Sequence, residues 1–325
     1  MSTAAPLPAP PWTGAERAAL AAAHAQARLP HALLLHEAPG AGGDWLAEWA
    51  AALVLCEDKE EQPCGGCRAC RRVSAHQHPD LTWVAPEEES RQLRIEQVRD
   101  LAAELALTAH GGGYKVGVLT PADALNRFAA NALLKTLEEP PPRTLLILVA
   151  TAPSRLPPTV LSRCQRLRVP APTRAAALAW LAAASGRSAN WAPALDTIGE
   201  APFALLGSDP DEIAAVGADA RRALDGLGSG ATDPAATAER WARAEWPLRL
   251  RCFENWLTER IHSNAKDQAF MTEMRAAPYS SGGGPILNTT ELFGLLDEVR
   301  ELRAALDVPL NRGLALEALL RRLAP

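Results

Sequence analysis

No run of 18 or more apolar residues occurs in the 325-residue sequence, so no membrane-spanning helix is expected. A basic surplus is also missing: 33 lysines and arginines face 38 acidic residues, for a net charge of −5. That balance argues against a protein whose whole surface wraps nucleic acid, although it allows a local basic face. Aromatic residues supply only 5% of the chain against 48% hydrophobic residues in all, and alanine- and leucine-rich runs make up the difference. Such a composition predicts a helix-dominated protein. The N-terminal MSTAAPLPAPPW has no basic stretch leading into an apolar core, so it does not read as a signal peptide.

Cysteine is scarce as well, but four of the six fall within fifteen residues. Cys56, Cys64, Cys67 and Cys70 give C-x7-C-x2-C-x2-C. A two-residue gap lets one tight turn deliver both thiolates to a metal, and zinc takes four ligands at about 2.3 Å from one point. Gly65 and Gly66 supply backbone freedom, and Lys59, Arg68, Arg71 and Arg72 offset the negative charge of four thiolates around one divalent ion. No ligand position stays open, so a zinc ion here is structural, holding a small insertion with too little apolar sequence to fold unaided. Free thiols, or an iron–sulfur cluster with similar spacing, are the alternatives. Cys164 and Cys252 read as packing residues, and the seven histidines form no ligand cluster. The pattern favours a reducing compartment, hence the cytoplasm.

Strand and helix signals alternate through the first half. Strands are expected at His31–Leu35, Leu81–Val84, Lys115–Leu119 and Leu145–Ala150, the first and last of them continuously apolar, with Arg166–Val169 as a candidate fifth. Helices are expected between them, one over 97–107 with Val98, Leu101 and Leu105 on a face, another over 126–139 with Asn126 as cap and Pro140 as stop. Residues 1–12 read as a loose lead-in. The alternation predicts a doubly wound parallel sheet. Beyond Pro170-Ala171-Pro172 strand signals vanish. A small helical unit follows, broken at Gly186 and Gly199, then helices over 210–226, 233–262, 288–306 and 311–323, with Gly282-Gly283-Gly284 as a connection. The expected domains are 1–170 with the cysteine module at about 56–72, a helical lid over 171–208, and a helical collar over 209–325. The five tryptophans at 180, 191, 241, 246 and 256 lie in helical patterns and read as core or interface.

The loop after the first strand has the outline of a phosphate loop without its working groups. A functional loop reads G-x-x-x-x-G-K-[ST], where backbone N–H groups cradle phosphates, lysine reaches the outer ones and the hydroxyl holds magnesium. Here the residues are His36-Glu37-Ala38-Pro39-Gly40-Ala41-Gly42-Gly43-Asp44. Glu37 stands in place of the first glycine, Gly43 of the lysine and Asp44 of the hydroxyl. The third strand, which should end on a magnesium-binding Asp, is followed by Thr120, with Asp123 further on. Hydrolysis is not expected. The plainer reading is a strand-to-helix loop with Asp44 as the helix cap.

Two further motifs, Ala129 to Pro141 (AANALLKTLEEPP) and Ser162-Arg163-Cys164, resemble those of AAA+ clamp-loader subunits, as does the tail from Leu310 to Glu317. The resemblance covers most of the chain. It implies an AAA+ P-loop-type parallel sheet domain with a zinc-module insertion, a small helical lid and an all-α collar that assembles a five-subunit ring. It also implies that Arg163, placed by Ser162 and Cys164, is an arginine finger acting on ATP held by a neighbour, with no ATP of its own and structural Zn2+. The implied partners are tau/gamma and delta clamp-loader subunits, with the sliding clamp and primer-template DNA met indirectly. An intramolecular ion pair of Arg163 with Glu138 or Glu139 is the plainer alternative. For Lys135 the alternative is a solvated helix face, and Arg166 and Arg168 read as surface residues. An active tau/gamma-type ATPase with a divergent loop, and a zinc-dependent nucleic-acid-binding module outside replication, are the competing functions.

Overall fold

The computed structural model describes residues 7–58, 60, 62–87, 90, 92–110, 113–274, 288–304 and 311–324. Lys59, the Gly282-Gly283-Gly284 connection and Leu310 lie outside them. The chain forms two compact units, Met1–Gly186 with Glu200–Phe203, and Arg187–Gly199 with Ala204–Pro325.

The first unit runs α1 (Gly14–Ala25), β1 (Ala32–Glu37), α2 (Gly43–Leu55), α3 (Arg68–Ser74), β2 (Leu81–Val84), α4 (Ile95–Ala106), β3 (Lys115–Leu119), α5 (Arg127–Glu138), β4 (Thr144–Ala150), α6 (Pro158–Leu161), β5 (Gln165–Val169) and α7 (Arg174–Ser185). All five expected strands form. They pair in parallel in the order β2-β3-β4-β1-β5. Successive strand side chains point to opposite faces. Leu33, Leu35, Ile147, Val149, Val116 and Val118 accordingly pack with Leu20 of α1, Leu46 and Ala50 of α2, and Val73 of α3. Leu34, Leu146, Leu148 and Leu119 pack on the other side with Val98, Leu101 and Leu105 of α4, Leu133 and Leu137 of α5, and Val160 of α6. Both faces are covered, which is why β4 is apolar at nearly every position. At the sheet edge Arg166 and Arg168 are exposed on β5.

Helix ends follow local chemistry. The Asn126 side chain accepts the backbone N–H of Phe128 and Ala129 at 3.0 and 2.9 Å, as expected of the cap of α5. The lead-in is not loose where it is described. Pro11–Thr13 form a 3-10 turn, Trp12 donates its indole N–H to the Ala41 carbonyl at 2.8 Å, and Trp180 donates to the Pro8 carbonyl at 2.8 Å.

The second unit is helical: α8 (Trp191–Ile198), α9 (Pro210–Gly228), α10 (Pro234–Arg243), α11 (Trp246–Met274), α12 (Thr289–Ala304) and α13 (Arg312–Arg321). Its core gathers Leu224, Trp241, Leu250, Phe253, Leu257, Leu295, Val299, Leu316 and Leu320. The single helix expected over 233–262 is two. Helix α10 ends at Arg243 and α11 begins at Trp246, with Glu245 between them at φ of 51°, because Pro247 has no N–H to continue a helix and can occupy only its first turn. Glycines 186 and 199 end α7 and α8 with positive φ, as expected. Trp180, Trp191, Trp241, Trp246 and Trp256 are all buried. Asn288 and Glu291 form the reciprocal cap at the start of α12. Among the described residues no helix is long and apolar enough to cross a membrane.

Candidate functional site

The loop between β1 and α2 lies at the carboxyl ends of the strands, where the strand order reverses and ligands of open α/β sheets bind. Here the chain fills that place itself. Glu37 accepts the backbone N–H of Gly43 at 2.5 Å, taking a donor that would otherwise cradle a phosphate. The Thr120 hydroxyl donates to Asp44 Oδ1 at 2.6 Å. The two positions that would hold magnesium have thus exchanged acid and hydroxyl, and they bond each other. Asp123 binds neither; its Oδ2 accepts from Thr151 Oγ1 and the Ala152 N–H at 3.1 and 3.0 Å, fixing the exit of β4.

The outer side of the loop is covered as well. The Phe203 N–H donates to the Gly40 carbonyl at 3.2 Å. Gly42 has φ of 97°, and a Cβ there would collide with the Phe203 ring. Ala201 meets Gly40 in the same way, at 2.7 Å. Trp180 packs between Phe203 and Trp12, with ring centroids 4.3 and 5.6 Å away. Only glycine combines that backbone with so close an approach. The expected cap role of Asp44 is not realised. Gly42 is the capping residue of α2, and the carboxylate at its first N–H groups is that of Glu37.

Burial chiefly raises the Glu37 carboxyl from its ordinary 4.5 to about 7, with Asp44 and Asp123 adding to the shift and the Gly43 and Gly42 N–H groups opposing it. A raised folded value means the native state holds a proton that the unfolded chain has lost between these two pH values. The stability this contributes is complete below about 4.5 and is gone above about 7. Glu37→Gln keeps an acceptor for Gly43 and has no proton to lose. Relative to the native chain it should gain stability at pH 8 over pH 5 by on the order of 1–2 kcal/mol, discounted for partial exposure. Urea unfolding at both pH values checks this; an equal difference at both would contradict it.

Arg163 follows α6 in a turn, its N–H bonded to the Val160 carbonyl at 3.1 Å. Its side chain keeps 35% of its surface open. Nη1 donates to the Thr159 carbonyl at 3.0 Å and to Ser162 Oγ at 3.1 Å, and Nη2 pairs with Glu138 Oε1 at 2.8 Å. The intramolecular ion pair exists, then, and its partner is Glu138 at the end of α5. Cys164 faces inward, buried in the core that α5 and α6 share, where burial pushes its thiol up to about 11. Ser162 and Cys164 therefore bracket the arginine, one bonded to its guanidinium and the other anchoring the turn.

The four clustered cysteines converge as expected. Their sulfurs all lie within 4.8 Å of one another. Cys56 Sγ is 3.6 Å from Cys64 Sγ and 3.9 Å from Cys67 Sγ. A tetrahedron of thiolates at about 2.3 Å from zinc has edges of about 3.8 Å, so these residues fit a metal such as zinc. Backbone N–H groups of Cys64, Cys67 and Cys70 point at the sulfurs of Cys56, Cys64 and Cys67 at 3.5, 3.3 and 3.4 Å. Burial raises the Cys67 thiol, but the N–H groups of Cys70 and Glu57 and the neighbouring thiols outweigh it and bring it to about 6. Arg68, Arg71 and Arg72 lie in α3, immediately beside the ligands.

Phe203, Ala201 and Trp12 are the site residues that sequence reasoning missed. They close on the loop from far along the chain, with no local motif. Only the two glycines at 40 and 42 hinted at a close neighbour.

The parallel strand order, the loop after β1 and the arginine after α6 define the first unit as an AAA+ P-loop-type domain whose own phosphate loop is closed. Residues 15–173 match the family described as "DNA polymerase III, delta subunit". The chain is 47% identical over 160 residues to DNA polymerase III subunit delta' of Pseudomonas aeruginosa, covering 49% of each chain. It is 38% identical over 172 residues to the Escherichia coli delta' subunit, covering 53% of this chain and 52% of that one. To the tau subunit of Escherichia coli it is 34% identical over 145 residues, 44% of this chain and 22% of tau. Residues 15–173 of the first unit are thus similar in sequence to DNA polymerase III delta' subunits. The chain spans about half the length of the curated delta' relatives it matches.

Proposed function

We propose that the chain is a non-hydrolysing clamp-loader subunit of the delta' kind within a DNA polymerase III holoenzyme, working in the cytoplasm. One observation carries this reading: the phosphate loop is closed by Glu37, Asp44, Thr120 and Phe203, while Arg163 keeps a third of its surface open. A triphosphate brings about four negative charges. At this loop it would meet the Asp44 carboxylate and a Glu37 carboxyl that already takes the Gly43 N–H, with glycine where the counter-charge belongs.

Arg163 would then serve ATP bound by an adjacent tau/gamma-type subunit, in a ring completed by a delta subunit. A planar guanidinium matches two phosphate oxygens and stays charged as negative charge develops in phosphoryl transfer. Ser162 and Cys164 hold its turn. The sliding clamp and primer-template DNA would be met through the assembled ring. Cys56, Cys64, Cys67 and Cys70 would hold a structural zinc, which supplies cross-linking of the module and no catalysis. Residues 171–208 would act as the lid and 209–325 as the collar.

The experiment is reconstitution with the tau and delta counterparts of the same organism. A stable complex whose DNA- and clamp-stimulated ATP hydrolysis requires this chain is expected. Failure to co-purify, or hydrolysis independent of the chain, would overturn the proposal.

A further inference from the structure

The ion pair beneath Arg163 has a role that the finger reading alone does not supply. We infer that Glu138 is a positioning residue, holding the Arg163 guanidinium extended for an ATP phosphate of the adjacent subunit. The inference rests on the proposed action of Arg163 in trans.

Three contacts fix the guanidinium: the Thr159 carbonyl and Ser162 Oγ at Nη1, at 3.0 and 3.1 Å, and Glu138 Oε1 at Nη2, at 2.8 Å. The first two come from the arginine's own turn, whereas Glu138 ends a different helix and holds the guanidinium from outside that turn. Leu133 and Leu137 of α5 and Leu156, Val160 and Cys164 around α6 lie in one buried core, so the carboxylate and the arginine turn are fixed relative to each other by packing. An unrestrained arginine loses about 2 kcal/mol of rotamer freedom on being fixed, and a side chain ordered beforehand avoids part of that loss when it meets its phosphate. The pair is exposed, 35% and 50% of the two side chains, so its contribution to folding is small and its value lies in orientation.

The test uses the reconstituted loader with Glu138→Gln and Glu138→Ala, each with native Arg163 and with Arg163→Ala. With native Arg163, both variants should lower kcat for stimulated ATP hydrolysis by about two- to fivefold, the range of an exposed ion pair, with KM for ATP unchanged. In the Arg163→Ala background they should have no effect, since a positioning residue has nothing left to position. Thermal unfolding should be unaltered, which separates orientation from folding. If Arg163→Ala is costly but the Glu138 variants are silent, or raise the rate as a released restraint would, this inference fails and the finger stands. An equal loss in both backgrounds also overturns it. If Arg163→Ala is itself silent, the proposed function fails and this inference with it.

Discussion

Arg163→Ala should lower hydrolysis at the proposed adjacent ATP site by on the order of 10³-fold in single turnover, with a far smaller change in nucleotide affinity there. The magnitude is the lower end of that of arginine fingers in GTPases. The separation of kcat from binding follows from the chemistry: the guanidinium opposes charge that grows in the transition state and gains most there. Arg163→Lys should recover only a small part, since an ammonium is a point charge and cannot hold two oxygens in one plane. Neither variant should unfold the chain, because the pair with Glu138 is exposed and such pairs contribute at most about 1 kcal/mol. Rapid-quench hydrolysis by the reconstituted loader, with DNA and clamp present, measures the effect. An unchanged rate would remove Arg163 from the mechanism.

The second large effect concerns the metal. Purified chain should contain one zinc, and Cys67→Ser should reduce that to a small fraction, since three thiolates leave a structural site open. Structural zinc provides roughly 10–16 kcal/mol of apparent binding free energy in small modules, comparable with or above the whole stability of a typical domain. Among the described residues of the module, Cys56, Cys64 and Cys67 are only half-buried, and the buried groups begin at Ala69, Cys70 and Val73 of α3. Loss of the ion should therefore unfold the module locally, leaving the sheet in place. Limited proteolysis after chelation should cut first within 57–66. Elemental analysis well below one zinc per chain would contradict the assignment.

Much of this was legible from residue order. Continuous apolar runs located β1 and β4, because a strand covered on both faces has no polar side to hide. The edge strand β5 was legible only by the alternation of Arg166 and Arg168 with Leu167 and Val169. The spacing of Cys56, Cys64, Cys67 and Cys70 located the cysteine cluster, since tight turns bring x2 pairs together whatever surrounds them. The ion pair of Arg163 was legible only as an alternative, and choosing Glu138 over Glu139 needed the packing of α5 on α6. Pro247 carried the break between α10 and α11, but the apolar periodicity on either side masked it. The closure of the phosphate loop was half visible: Glu37, Gly43 and Asp44 showed that groups were missing. Nothing local showed that Asp44 and Thr120 would pair, or that Phe203 would return over Gly42, since those contacts join residues 76 and about 160 positions apart.

The central claim is that this chain has closed its own nucleotide site and keeps only the part that acts on another's. Its most direct test is equilibrium titration of the purified chain with a fluorescent, non-hydrolysable ATP analogue and magnesium, with Trp12 and Trp180 as internal reporters beside the loop. The account predicts no saturable binding at concentrations up to the millimolar range. Micromolar, magnesium-dependent binding that quenches those tryptophans would contradict it.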